Sequence, residues 1–164
     1  MRFIKCFLLI VAMVSIAGCS KFKTYNGPEV TQIIVNKENR RMFLMHGTDV
    51  LKVYEVELGF TDAGHKQFEG DGKTPEGDYV IDRRNPKSSF HLSLGVSYPN
   101  EEDIAFAKAA GKSPGGDIFI HGRPNGKRKN LGPDWTAGCI SVSNRQMERI
   151  YAMVKNGTPI RITP

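Results

Sequence analysis

Cysteine and histidine are scarce in this chain of 164 residues, which contains three of the first and four of the second. No cysteine stands in a close pair with another cysteine or with a histidine, so the spacing predicts no metal site. Dense runs of lysine and arginine with interleaved aromatic residues are also absent, which argues against nucleic-acid binding despite the net charge of +6. The ordinary composition, 40% hydrophobic and 24% charged, excludes a disordered, collagen-like or coiled-coil chain.

The N-terminus has the features of an export signal. Arg2 and Lys5 precede an apolar stretch at 7–17, which is too short to span a bilayer comfortably. The stretch leads into the sequence Ile-Ala-Gly-Cys, ending at Cys19, which resembles the bacterial lipobox, where the cysteine is lipidated. The alternative is a signal peptide that is cut at a nearby small residue and leaves a soluble protein.

Three segments are therefore predicted: a lipoprotein signal peptide at 1–18, a tether at 19–28 and one domain at 29–164. Lipid on Cys19 would hold the protein on a membrane. Ser20 after that cysteine resembles an outer-membrane sorting signal, so we expect a lipoprotein that faces the periplasm from the outer membrane.

The domain is predicted to be mostly β with two helices. Strands are predicted at 30–35, 41–45, 50–58, 78–82, 89–94, 117–121, 139–142 and 158–162. Two hairpins in series at the start favour an antiparallel sheet. Asn100 is predicted to cap a first helix, and Ser143 with Gln146 a second one through a capping box. The long glycine-rich loop at 59–77 is of a length that is often functional.

Cys139 is the only thiol left free once the leader and the lipid account for Cys6 and Cys19. An unpaired thiol in an exported protein indicates a reactive or intermolecular cysteine. His121 ends a strand predicted to be buried, eighteen residues before Cys139, which begins another strand. If these strands are neighbours, imidazole and thiol meet.

Such a pair is suited to nucleophilic catalysis, because the thiolate is the reactive form and an adjacent imidazolium lowers the pKa of a thiol. The backbone amides of Gly138 and Cys139 are predicted to form an oxyanion hole. Taken singly, a histidine on an apolar strand is more often a satisfied core residue, and a buried cysteine is usually inert packing. The surrounding motif decides between these interpretations.

That motif, His121-Gly122 followed by Thr136-Ala137-Gly138-Cys139-Ile140, resembles the signature of the L,D-transpeptidase catalytic domain (YkuD-type). The family signature has a gap of about fourteen residues after the histidine, then Ser or Thr, His, Gly, Cys, an apolar residue and Asn or Arg. Thr74, Pro75 and Gly77 match a second family element. Ala137 and Ser141 depart from the pattern, which is typical of a divergent branch.

The resemblance implies a YkuD-like mixed β-sandwich or barrel and acyl transfer on peptidoglycan stem peptides, without a cofactor. Cys139 would form a thioester after His121 takes its proton, and an amine, water or a protein lysine would resolve it. The orienting group for His121 resembles a backbone carbonyl in this family, so no carboxylate partner is expected. Substrate contacts are predicted at five further residues: Gly122, Arg123, Thr136, His91 and Ser141.

Three alternatives stay open at this point. The first is an L,D-hydrolase that releases peptides or proteins from peptidoglycan, since some members of the divergent branch resemble such enzymes. The second is a non-catalytic lipoprotein that binds cell wall. The third is a metal site built from Cys139, His121 and His91, although these residues lack the close spacing of metal ligands.

Overall fold

The computed structural model describes residues 20–61, 63–126 and 131–164. Its strands are β1 (Gln32–Asn36), β2 (Arg41–His46), β3 (Asp49–Glu55), β4 (Gly77–Asn85), β5 (Ser93–Val96), β6 (Phe119–His121), β7 (Ile140–Ser141) and β8 (Pro159–Thr163). Its helices are α1 (Glu101–Ala109) and α2 (Asn144–Met153). The prediction of a mostly β domain with two helices is confirmed.

All eight strands belong to one sheet, in the order β3-β2-β1-β8-β4-β5-β6-β7. The β1-β2-β3 meander is antiparallel, as the two predicted hairpins require. Parallel pairs occur between β1 and β8 and between β6 and β7. The sheet is therefore mixed, and β6 and β7 lie side by side at one of its edges.

The sheet curls until its two edges meet. After β3 the chain returns across the molecule, where Glu57 bridges to Ser141 and Gly59 bridges to Thr136. A half-barrel results, with α2 packed against β5 and β6. Met147 and Ile150 are fully buried on the inner face of α2, and the predicted capping box starts this helix. The outer edge strand β7 is thus held between β6 and the returning segment.

The strand predicted at 89–94 begins later, at Ser93. His91 has φ +71°, in the left-handed region, and Leu92 N–H donates to Phe90 O at 2.9 Å. The apolar residues at 90 and 92 predict an extended strand, and this tight turn interrupts it. It also places Phe90 beside the groove described below.

The chain at 20–28, where the sequence predicts a tether, contacts the domain through several side chains, and the tether itself stays a prediction. Lys21 Nζ donates to Pro86 O at 2.7 Å, and Tyr25 packs against the hydrophobic core. The ring of Phe22 lies 6.4 Å from that of Tyr151, between centroids. The predicted signal peptide and Cys19 lie outside the described residues. Within the described ranges, no helix is long and apolar enough to cross a membrane.

Candidate active site

Cys139 and His121 face the same groove. In the parallel β6–β7 pair, Ile120 lies opposite Ile140, and both are fully buried toward the core. Side chains alternate between the two faces of a sheet, so His121 and Cys139, one residue to either side, project from the opposite face. Both line a groove of about 420 Å³. The sequence predicts that imidazole and thiol meet if their strands are neighbours, and β6 and β7 are neighbours in the sheet.

A backbone carbonyl orients the His121 ring. Nδ1 lies 2.7 Å from Gly122 O. A carbonyl oxygen can only accept, so Nδ1 carries a proton and Nε2 of the neutral ring has a free lone pair. Nε2 is thus the nitrogen able to accept a proton from the thiol. This arrangement fits the expectation that no carboxylate orients the imidazole.

The environment of His121 favours its neutral form. Burial lowers the pKa of the imidazole below its ordinary value, and the positive charge of Arg123 acts in the same direction. The hydrogen bond to Gly122 O opposes this shift without cancelling it. An imidazole that is neutral at pH 7 is in the correct state to act as a general base.

The environment of Cys139 also favours its neutral form. Burial raises the pKa of the thiol, and the carboxylate of Asp117 adds to the rise. A backbone hydrogen bond from Phe119 and the more distant charge of Lys66 act in the opposite direction. The thiol donates to Asp117 O at 3.5 Å. The sequence-based expectation of a lowered thiol pKa is wrong, because it counted the imidazole and could not count burial.

Gly138 is required by close packing. It has φ +129°, and a Cβ there would lie 2.6 Å from Lys73 O. Its N–H donates to Thr136 Oγ1 at 3.2 Å, so it is engaged within the turn and does not serve as an oxyanion donor in this structure. The oxyanion hole of the Gly138 and Cys139 amides stays a prediction, and it would require the Gly138 N–H to exchange its bond to Thr136 for one to the substrate.

Thr136 also has a structural role in the turn before Cys139. It is 4% exposed, and its hydroxyl lies 2.8 Å from Leu58 O and 2.6 Å from Cys139 O. These bonds fasten the turn before Cys139 to the returning segment. The structure gives this side chain a role within the turn, and the predicted substrate contact at Thr136 stays a prediction.

Two more predicted substrate residues are enclosed. Ser141 is fully buried, and its hydroxyl has no hydrogen-bond partner among the described residues. Gly122 donates its N–H to Phe90 O and accepts from His121, and a Cβ on it would lie 2.6 Å from Asn144 Oδ1. Gly122 therefore orients the histidine and offers nothing to a substrate.

His91 and Arg123 lie beside the groove without lining it. His91 Nε2 is 3.0 Å from Glu148 Oε1 on α2, so this ring points away from Cys139. The Arg123 guanidinium lies over the Trp135 ring, 5.9 Å from its centroid. Within the described part of the chain, no group of three His, Cys, Asp or Glu side chains is placed to hold a metal ion. The proposed metal triad is not assembled.

Sequence reasoning missed most of the groove wall. Besides Cys139 and His121, the lining residues are Asn85, Ser88, Ser89, Phe90, Ser93, Asp117 and Phe119. One signal could have found part of this wall: β5 is the antiparallel neighbour of β6, and Ser93 lies directly opposite His121. Asn85 ends β4, and Asp117 and Phe119 lie just before and at the start of β6. The turn between β4 and β5 carries Ser88, Ser89 and Phe90, and no periodic pattern in the sequence specifies the shape of this turn.

Asp117 and Asp134 are the acids nearest to the site along the chain, and neither is expected to act on His121. The Asp117 carboxylate is 90% exposed and pairs with Arg83 at 2.9 Å. Asp117→Asn should keep substantial turnover, measured as product formed per unit time. A loss as large as that of Cys139→Ala would show that a carboxylate orients the imidazole.

Asp134→Asn should instead affect stability. The Asp134 carboxylate accepts from Arg40 at 2.6 Å and from Leu58 N–H at 2.8 Å, which ties the turn before Cys139 to the returning segment. Hydrogen bonds to charged groups contribute about 1.5–3 kcal/mol, so we expect the free energy of unfolding to fall by about 2 kcal/mol. Denaturant unfolding measures this, and an unchanged midpoint would contradict it.

Known proteins with a similar sequence or fold identify the family of this chain. The family model of the L,D-transpeptidase catalytic domain (YkuD) matches residues 30–162. The chain belongs to this family. YafK of Escherichia coli (strain K12) is 25% identical to it over 138 residues, 82% of this chain and 50% of that protein. The chain thus spans about half the length of this curated relative.

Solved structures agree with the family assignment. The helical cell shape determining protein Pgp2 from Campylobacter jejuni superimposes with a TM-score of 0.62 at 26% identity, over 88% of this chain and 51% of Pgp2. An L,D-transpeptidase from Mycobacterium smegmatis gives a TM-score of 0.54 at 14% identity, over 82% of this chain and 59% of that one. The latter likeness supports the fold alone. The predicted family and its fold are confirmed.

Proposed function

We propose that this chain is a cysteine acyltransferase of the bacterial envelope that acts on peptidoglycan stem peptides through a thioester on Cys139. One observation carries the proposal: His121 and Cys139 share one face of the β6–β7 pair and one groove, with the Nδ1 of His121 fixed by Gly122 O. The family provides the substrate class. Cys139 is partly exposed in this groove.

In the proposed reaction, the thiol attacks an amide carbonyl at the L-to-D centre of a stem while Nε2 of His121 accepts its proton. The S–C bond forms and the carbonyl oxygen becomes an oxyanion. The C–N bond then breaks as His121 returns the proton to the departing amine. A second amine attacks the thioester and frees Cys139, which completes a transpeptidation. Water in the same position would complete a hydrolysis.

Purified muropeptides test the proposal and separate these outcomes. The full chain is incubated with a stem peptide, and the products and the intact protein are analysed by mass spectrometry. We expect an acyl adduct on Cys139 and a cross-linked product when an acceptor amine is present. A shortened stem alone would identify a hydrolase instead. No adduct and no product from any stem, with a folded protein, would favour a cell-wall-binding role without catalysis.

We further propose that Cys19 carries lipid and holds the enzyme on the outer membrane, facing the periplasm. The lipobox-like sequence that ends at Cys19 supports this, as does Ser20 after it. Peptidoglycan would then be within reach of the groove. Because Pgp2 is a helical cell shape determining protein, we propose that the reaction of this chain on peptidoglycan also affects cell shape.

Cys19→Ala should block lipid attachment. We expect labelled palmitate to enter the unaltered chain and not the variant, and the variant to accumulate uncleaved or in the soluble fraction. Cys6→Ala is the matched control, since this cysteine lies within the predicted leader and should leave labelling intact. Palmitate that still enters the Cys19→Ala protein would contradict the anchoring proposal.

A further inference from the structure

The His121 ring packs against two other aromatic rings. The Phe90 ring lies over it with 4.5 Å between centroids and an interplanar angle of 34°, and Trp135 meets it edge-on at 5.6 Å and 64°. Phe90 and Trp135 also contact one another at 5.9 Å. Because these two rings and the Gly122 carbonyl all contact the imidazole, the direction of Nε2 is set by packing and not by the histidine alone.

Phe90 also contacts the backbone of Gly122, the residue whose carbonyl orients this ring. Its carbonyl oxygen accepts from Gly122 N–H at 3.1 Å, and the oxygen of Gly122 in turn accepts from His121 Nδ1. The ring of Phe90 therefore contacts the imidazole directly, and its backbone carbonyl contacts it through Gly122. A shift of the 86–91 turn, the segment that carries Phe90, would move both contacts together.

The 86–91 turn is fastened by the N-terminal strap, which we define as residues 20–25. Lys21 Nζ donates to Pro86 O at 2.7 Å and to His91 O at 3.2 Å, so a single ammonium group joins the two ends of the turn. The strap itself is fixed by Phe22 against Tyr151 and by Lys23, which pairs with Glu148 at 3.4 Å. Its position therefore does not depend on Lys21 alone.

We propose that Phe90 and Lys21 are positioning residues for His121, and that the N-terminal strap is a working part of the active site. The contacts form a continuous series. The ammonium of Lys21 holds the two ends of the 86–91 turn, and Phe90 within that turn packs against the His121 ring. Loss of either residue loosens the imidazole and admits water to it. The proposal rests on the proposed role of His121 as the base, and it assigns function to a segment whose sequence reads as a linker.

Two readouts test it in the full chain held in detergent. The first is kcat and KM on the stem peptide. Misplacement of a reacting group by about 1 Å can cost on the order of 10²-fold in rate, so we expect Phe90→Leu and Lys21→Met to lower kcat by about tenfold or more, with little change in KM. Lys21→Arg should restore most of the loss, since it keeps the charge and the donors.

The second readout is the NMR titration of the His121 ring, which needs no activity. A loosened, hydrated imidazole should titrate closer to its ordinary pKa, so the midpoint should rise in Phe90→Leu and Lys21→Met. Lys155→Met is the matched control. It removes another ammonium that ties the early chain to the domain, through Glu29 at 3.0 Å, away from the turn.

The outcomes separate this inference from the proposed function. If no stem is turned over but the titration shifts as stated, the positioning inference stands and the function fails. If Lys21→Met matches the unaltered chain in both kcat and titration, the inference is wrong. Should Phe90→Leu unfold, Lys21→Met decides, because it removes the ammonium that joins the two ends of the turn and leaves every core side chain in place.

Discussion

Cys139→Ala is expected to abolish turnover of stem peptides and the acyl adduct together. Removal of the nucleophile from a comparable hydrolytic site costs on the order of 10⁶-fold in kcat, and we expect at least about 10⁴-fold here. His121→Ala should cost about 10²- to 10⁴-fold, the usual contribution of a general base. The same muropeptide assay measures both, with thermal unfolding as a check that the domain is intact.

His46→Ala is the matched control for the histidine. His46 is exposed at the end of β2, where its Nδ1 contacts Glu29 O at 2.8 Å, far along the sheet from β6 and β7. We expect this variant to keep full turnover. Products formed by Cys139→Ala at an unaltered rate would falsify the thioester mechanism, whatever the result for the histidines.

The elements that the sequence predicts well are those specified by neighbouring residues. The capping box at Ser143 and Gln146 and the apolar spacing that follows it define α2, and the structure has both. The alternating segments that form β1 to β3 have the same property. In each case the pattern lies within one short stretch of chain, and even the hairpin partners Arg41 and Glu55 are only 14 positions apart. The long-range contacts with β8, β5 and β6 agree with that local preference and do not override it.

The surroundings of Cys139 could not be predicted in this way. Thr136 and Gly138 owe their places to Leu58 and Lys73, which approach from the segment that returns after β3. These contacts join residues more than sixty positions apart, and no pattern in the motif itself points to them. The motif identifies the thiol and the imidazole, whereas the long-range packing decides which backbone and hydroxyl groups remain available.

The same limit applies to the charge state of the pair. A sequence shows that imidazole and thiol are at a spacing where they can meet, and the usual consequence is a lowered thiol pKa. Burial acts on both groups in the opposite sense, and burial depends on Phe90, Trp135 and Phe119 closing around them. Burial therefore favours a neutral thiol and a neutral imidazole in the resting site.

A neutral pair predicts that Cys139 alkylates slowly at acid and neutral pH. The pKa of the thiol is raised above its ordinary value of ~8.5. The thiolate fraction should therefore grow about tenfold per pH unit from pH 6 to beyond pH 8. The rate with iodoacetamide should follow it, rise by on the order of 10²-fold or more over that range, and at pH 6 not exceed the rate of free cysteine.

Turnover should depend on pH differently, because it needs a neutral His121 and not a free thiolate. Burial lowers the pKa of His121 below its ordinary value of ~6.5, so protonation removes the base only below that pH. We expect kcat/KM to be lost on the acid side with a midpoint under ~6.5 and to stay level above it, while alkylation keeps rising. In His121→Ala, turnover should be lost while the alkylation rate keeps the same dependence on pH.

Rapid alkylation at pH 6 that disappears in His121→Ala would instead show a preformed thiolate–imidazolium pair. In that case the pull of the imidazole would outweigh burial, and the resting state described here would be wrong.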